Sequence, residues 1–225
     1  MKSVLISILL ISTALMGCKK NEVLLVEDHS SKYHPMSIGN TWIYEMDSIV
    51  FRGDNSSDPD TFSYLKKIEV ESTLNSDSFG TSYKLISSTK KDSMSQWIYQ
   101  NTYTVSNSPT EVLVSISDIR QLILSFPISL ASEWDANLYN TKESLDCYYE
   151  FVHKPYTLDS ITYDSTSTVY GDGGTFVTQS KFVRETYAAN IGLIEKEFEN
   201  VTGLFPPSSA PYGSKYYLKL RSFEK

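Results

Sequence analysis

The chain has 225 residues, 40% of them hydrophobic and 13% aromatic, with a formal net charge of −7 and a pI near 5.0. Such a length accommodates one generous β-sandwich or barrel. The acidic balance argues against a nucleic-acid partner, which needs a basic footprint, and against a flat seat on an anionic membrane surface.

At the N-terminus Lys2 precedes an apolar run from Val4 to Leu15. The run is too short to stay as a membrane span and has the charged and apolar regions of an export signal. The tetrad Leu15-Met16-Gly17-Cys18 that follows resembles the lipobox of bacterial lipoproteins. The resemblance implies cleavage before Cys18 and acylation of its thiol. It divides the chain into a signal peptide (1–17), a lipidated cysteine with a polar tether (18–32) and a single β-domain (33–225). Lys19-Lys20, in place of an aspartate after the cysteine, resembles lipoproteins passed on to the outer membrane. The membrane is then a partner through the lipid alone. Once Cys18 is acylated, Cys147 is the one thiol left and no intrachain disulfide can form. Alternation puts Cys147 on a face with Leu145, Tyr149 and Phe151, opposite Asp146, Glu150 and Lys154. It reads as a buried structural cysteine, with pairing to another chain as the alternative.

From residue 33 onward strand patterns dominate. Expected strands run over Thr41–Phe51, over Phe62–Glu71, over Thr81–Ser88 and over Trp97–Val105, where Trp97, Tyr99, Tyr103 and Val105 share one face. Further strands are expected at Glu111–Ile116, Trp134–Tyr139, Leu145–Phe151, Phe176–Tyr187, Gly192–Val201 and Tyr216–Leu220, about ten in all. Turn chemistry at 53–60, 75–80 and Gly171-Asp172-Gly173-Gly174 separates them. The segment 203–213, with Pro206, Pro207 and Pro211, reads as a loop. Asp118–Leu124 suggests one short helix capped by Ser117 or Asp118, or else a buried strand. The fold class is all-β: a curved antiparallel sheet or an open or half β-barrel, with one short helix.

One pattern occurs twice. In Pro35-Met36-Ser37-Ile38 to Trp42, and in Pro127-Ile128-Ser129-Leu130 to Trp134, proline and tryptophan are seven residues apart. Each copy reads as a turn with an inward aliphatic and a tryptophan opening the next strand. Around the first copy, Tyr33-His34-Pro35-Met36-Ser37-Ile38-Gly39-Asn40-Thr41-Trp42-Ile43-Tyr44 resembles the opening of a set of Gram-negative envelope lipoproteins. In that set a Phe-Pro-Leu-x-x-Gly-Asn-x-Trp segment starts the first strand and a second Phe-Pro-Leu…Trp follows mid-chain. Tyr187-Ala188-Ala189-Asn190-Ile191-Gly192-Leu193-Ile194 resembles their late Tyr-Ala-x-x-Ile-Gly-Leu-Ile strand. His34 and Ala131 depart from the pattern. The resemblance implies a curved sheet or open barrel like lipoprotein carrier folds, and it carries over no catalytic residue.

The three histidines, His29, His34 and His153, lack metal-ligand spacing, and no nucleophile elbow or phosphate loop is present. Asp54, Ser56, Asp58 and Asp60 imitate a calcium loop, but Pro59 and Leu65 stand where that loop needs Gly and Glu. Arg52-Gly53-Asp54 matches an integrin-binding triplet that chance supplies often, and both motifs read as a solvated turn. Paired carboxylates at Glu69/Glu71 and Glu195/Glu197 are what an exposed strand face produces. Ser48, Ser93, Ser160 and Ser165 follow aspartates in a pattern resembling a bacterial O-glycosylation sequon. The expected protein is therefore not an enzyme and needs no cofactor or metal. It binds an apolar or glycan ligand on a concave sheet, with Trp97, Tyr99 and Tyr103 as ligand-facing aromatics. The alternative is a structural or assembly component that docks another envelope protein by its exposed sheet edge or its Pro-rich loop. A Cys18→Ala variant should take up no palmitate in metabolic labelling; undiminished labelling contradicts the anchor.

Overall fold

The computed structural model describes residues 30–53, 58–74, 80–174, 178–203 and 210–225. Cys18, His29, Asp54, Ser56, Pro206 and Pro207 lie outside these residues, and with them the lipidation site, the aspartate of the integrin-like triplet and half of the calcium-like loop. A four-residue helix α1 (Ser30–Tyr33) leads into twelve strands. These are β1 (Thr41–Arg52), β2 (Asp60–Thr73), β3 (Thr81–Lys90), β4 (Ile98–Asn107), β5 (Glu111–Ile116), β6 (Ile119–Ser125), β7 (Glu133–Asp135), β8 (Asp146–Leu158), β9 (Ile161–Asp172), β10 (Gln179–Ala188), β11 (Gly192–Thr202) and β12 (Tyr212–Glu224). All pairings are antiparallel, in the order β6-β5-β4-β3-β2-β1-β12-β11-β10-β9-β8-β7. The fold is all-β, a nearly closed barrel-like sheet.

Every neighbour in that order is a chain neighbour except β1 and β12, which pair from Thr41↔Glu224 to Arg52↔Tyr212. The chain is thus two six-strand meanders, β1–β6 and β7–β12, joined at their outer strands. The repeated Pro…Trp pattern opens each meander. In both copies a tight turn forms, Asn40 N–H to Ser37 O and Ser132 N–H to Ser129 O, each 3.0 Å. The same side-chain bond then ties the turn back to the proline carbonyl, from Asn40 Nδ2 at 3.4 Å and from Ser132 Oγ at 2.8 Å. Met36 packs on the core and Ile128 is buried, while Ile38 and Leu130 at the turn tips are exposed.

Both tryptophans are buried and satisfy their indole N–H on a backbone carbonyl, as buried indoles must. Trp42 donates to Ile191 O at 2.6 Å and stacks on Phe223. Trp134 donates to Leu122 O at 3.1 Å and packs on Tyr149. Two residues past Trp42, Tyr44 donates to Leu193 O at 3.0 Å. The opening motif and the late Ile191-Gly192-Leu193 motif therefore meet across 149 residues of chain.

Several expectations need correction. Of the two readings of Asp118–Leu124 the strand holds, as β6, and the helix does not: Ser117 and Asp118 take positive φ and turn the chain back. Leu122 and Leu124 then point into the core, at strand period rather than helical period. The expected strand Trp134–Tyr139 ends at Asp135, because the Asp135 carboxylate accepts from the Asn137 and Leu145 amides and bends the chain into a turn. Strand β9 has no counterpart among the expected strands, because its run of Ser and Thr carries no apolar alternation. Phe151 is exposed, not on the face of Cys147 and Tyr149, because register shifts follow Tyr149 in β8. A bulge adds Gln100 to β4, so Tyr99 and Tyr103 lie on opposite faces and Tyr99 instead meets Thr102, 3.1 Å away.

At the seam between β6 and β7 the ladder is replaced by single bonds. Leu122 N–H donates to Ala136 O at 2.9 Å, and Asn140 Nδ2 reaches Arg120 O at 2.8 Å. A Trp134→Phe variant keeps the ring on Tyr149 but removes a buried donor at this seam. Its urea midpoint should fall by the equivalent of about 1–2 kcal/mol, with the slope unchanged.

Candidate functional site

The interior of the barrel is not filled. A cavity of about 340 Å³ lies between the sheet's inner faces, within the range of small-molecule sites. Aliphatic and aromatic side chains such as Trp42, Met46, Ile68, Leu85, Val105 and Leu218 form most of its wall. One end is closed by the segment before β1. Tyr33 is fully buried, its hydroxyl 2.6 Å from His153 Nδ1 and 2.8 Å from Ser165 Oγ, and Lys32 O accepts from Asn190 N–H at 2.6 Å.

The wall is lowest at the β5–β6 hairpin. Strand β4 pairs with β5 only from Thr104 to Asn107, which leaves Ile98–Tyr103 without a neighbour on that side. Asn101 and Ile116 are exposed while also lining the cavity, so the opening lies there.

Three charged side chains face this space: Lys66, Glu185 and Lys196. Lys196 Nζ sits 2.6 Å from Glu185 Oε1, and Tyr187 donates to Glu185 Oε2 at 2.5 Å. Burial alone would lower the Lys196 ammonium, yet Glu185 and Tyr216 carry it above the usual lysine range. Lys196 is thus held as its cation, as an uncompensated buried ion could not be. Lys66 differs. Burial and the nearby Lys196 push it down, and it makes no ion pair or hydrogen bond among the described residues. Burial also pushes up the Tyr103 phenol, which keeps its proton.

His34 closes the cavity from the plugged end. Its Nδ1 is 3.1 Å from Asn107 Oδ1, and Asn107 Nδ2 donates to His34 O at 2.9 Å. This assigns a proton to Nδ1. Burial lowers its pKa to about 4, against the opposing pull of Asn107 and Glu185. Cys147 is buried against β7 and β9, and burial pushes its thiol up to about 12, so it is no nucleophile at neutral pH.

Of the three aromatics singled out from sequence, Tyr103 lines the cavity. Trp97 instead lies beside the Lys67 and Lys90 ammonium groups, 5.7 and 4.7 Å from its ring centre, and Tyr99 faces solvent. Lys66, Glu185 and Lys196 were missed, because charged residues inside a strand read as outward-facing. A signal existed in β2, where Tyr64, Lys66 and Ile68 share a parity. Among the candidate glycosylation serines, Ser93 and Ser160 are exposed, Ser48 is half-buried on β1, and Ser165 is half-buried on Tyr33. No group of three metal-ligating side chains occurs among the described residues, and no helix there is long and apolar enough to cross a membrane. A second concavity of about 820 Å³ lies under the β8–β9 hairpin. Arg184 pairs there with one Glu150 oxygen at 2.8 Å and Tyr156 with Glu195 at 2.5 Å, while the second Glu150 oxygen, Oε2, is buried without a hydrogen-bond partner among the described residues.

No family model and no curated protein matches the chain. Two solved structures are similar. A candidate exported protein with a YmcC-like fold from Bacteroides fragilis aligns at a TM-score of 0.50 and 11% identity, over 86% of this chain and 99% of its own. A candidate lipoprotein from Parabacteroides distasonis aligns at 0.48 and 11%, over 86% and 98%. The first likeness shows that the architecture is a YmcC-like one.

Because His34 is neutral in the fold and titrates near 6.5 when unfolded, the unfolded chain binds the extra proton between those values. Stability should therefore fall as pH drops from 6.5 to about 4, by on the order of 3 kcal/mol from this residue. Denaturant melts across that window should show the drop in the parent chain and a shallower one in His34→Gln.

Proposed function

We propose that this chain is an envelope lipoprotein, held at the outer membrane by acyl groups on Cys18, whose barrel stores or carries a small ligand without transforming it. The single observation that carries the reading is the cavity of about 340 Å³, lined chiefly by apolar side chains and opening over the short β5–β6 wall. A core this size would gain stability by filling that space with larger residues. The export-signal and lipobox patterns supply the compartment, and Lys19-Lys20 supplies the outer membrane. The aliphatic lining favours an apolar body over a glycan, which would need paired polar groups along the wall. The polar groups inside are either paired or placed singly, as orienting groups in a binding site are, and they form no nucleophile–base pair.

Denaturing extraction of the full chain purified from its membrane, followed by mass spectrometry, should release a small apolar-bodied molecule at close to one per chain. A Leu85→Trp variant, which fills the cavity, should lose it while keeping the parent chain's circular dichroism. Equal recovery from both chains overturns the reading, and a co-purifying protein in place of a small molecule supports the docking alternative.

A further inference from the structure

Inside the barrel two ammonium groups face one carboxylate. Glu185 is fully used, with one oxygen on Lys196 and the other on Tyr187. Lys66 has no such partner, although its stem lies in the apolar wall of β2. A cation kept half out of water needs an anion or a short path to solvent. The path exists beside Asn101, but the geometry offers more than a path. Lys66 from β2 and Asn101 and Tyr103 from β4 all line this cavity, and Asn101 is exposed at its opening. The Tyr103 hydroxyl, like the Lys66 ammonium, makes no hydrogen bond among the described residues. An ammonium, a phenol and an amide on the wall of an apolar hole offer an anion three donors, of which only the ammonium lacks any acceptor capacity.

Resting on the binding role given above, we propose that the cavity takes a single-chain amphiphile with one carboxylate, its head on Lys66 and its apolar chain directed inward past Leu85 and Val105. One unpaired cation selects one negative charge. Tyr103 donates the second bond to the carboxylate, and Asn101 at the rim donates the third. The apolar chain occupies the space between Trp42, Ile68 and Leu218 and displaces water from it. A dianionic head would leave one charge uncompensated inside the barrel, and a neutral head would leave Lys66 unpaired. The same arithmetic excludes a cationic ligand, which would meet two ammonium groups.

The test uses the full chain in phospholipid nanodiscs, with equilibrium dialysis of radiolabelled decanoate, decanol and decyl phosphate against empty nanodiscs as reference. Decanoate should bind the parent chain near one per chain and at least tenfold more tightly than decanol. Lys66→Met should lower decanoate affinity at least tenfold and leave decanol unchanged, while Lys66→Arg should restore most of it. Equal decanoate binding by the parent chain and Lys66→Met overturns the assignment of the head to Lys66. Tighter binding of decyl phosphate than of decanoate overturns the carboxylate. If neither decanoate nor decanol binds the parent chain, the cavity is no amphiphile site and the broader reading fails with it. If decanol alone binds, the broader reading stands and the charged head is overturned.

Discussion

The β1–β12 ladder is the constraint on which the rest of the molecule depends. Each six-strand meander can assemble from hairpins between chain neighbours, but each leaves two unpaired edges and an apolar face too flat to bury itself. Pairing β1 with β12 brings together strands separated by most of the described chain, and the closure entropy for so long a loop must be recovered there. Twelve register partners recover part of it. The bonds from Trp42 and Tyr44 to the β10–β11 turn and its following strand recover more, because they reach past β12 to a third strand. Without that joint there is no inner face, no cavity and no place for a buried ion pair.

The interior electrostatics follow from the same closure. Strands alternate, so every second residue of β2, β10 and β11 must face inward once the sheet curves. Lys66, Glu185 and Lys196 fall on that parity. The Glu185–Lys196 pair persists because Tyr187 and Tyr216 complete its hydrogen bonds, which a lone buried pair would lack. Lys66, facing the same cavity, has nothing comparable. Its environment is set by what the sheet did not supply.

Much of the architecture was legible in the sequence, and for identifiable reasons. Turn residues bound β1, β2, β3, β5 and β11 on both sides, so the expected spans lie within two residues of the observed ones. The twin Pro…Trp corners were visible as pattern and proved to be structural equivalents, each opening half of the barrel. What escaped were features that break period two. The bulge at Gln100 separates Tyr99 from Tyr103, the shifts in β8 expel Phe151, and a two-residue turn at Ser117-Asp118 converts an apparent helix into a strand. A single-sequence reading assumes unbroken alternation, and bulges are decided by partners the sequence does not name. The inward lysines were hidden by the same habit of assigning charge to solvent.

The brevity of β7 has a consequence for how the barrel behaves as a whole. On one side the two halves are held by a full ladder; on the other, three residues and a few side-chain bonds do the same task. The free energy of local opening must therefore be uneven around the circumference, lowest at β5–β7 and highest at β1–β12. Amide hydrogens at the weak side exchange through small openings while those opposite wait for global unfolding. A molecule that enters or leaves the interior need not compete with the stability of the fold, only with that of its shortest strand.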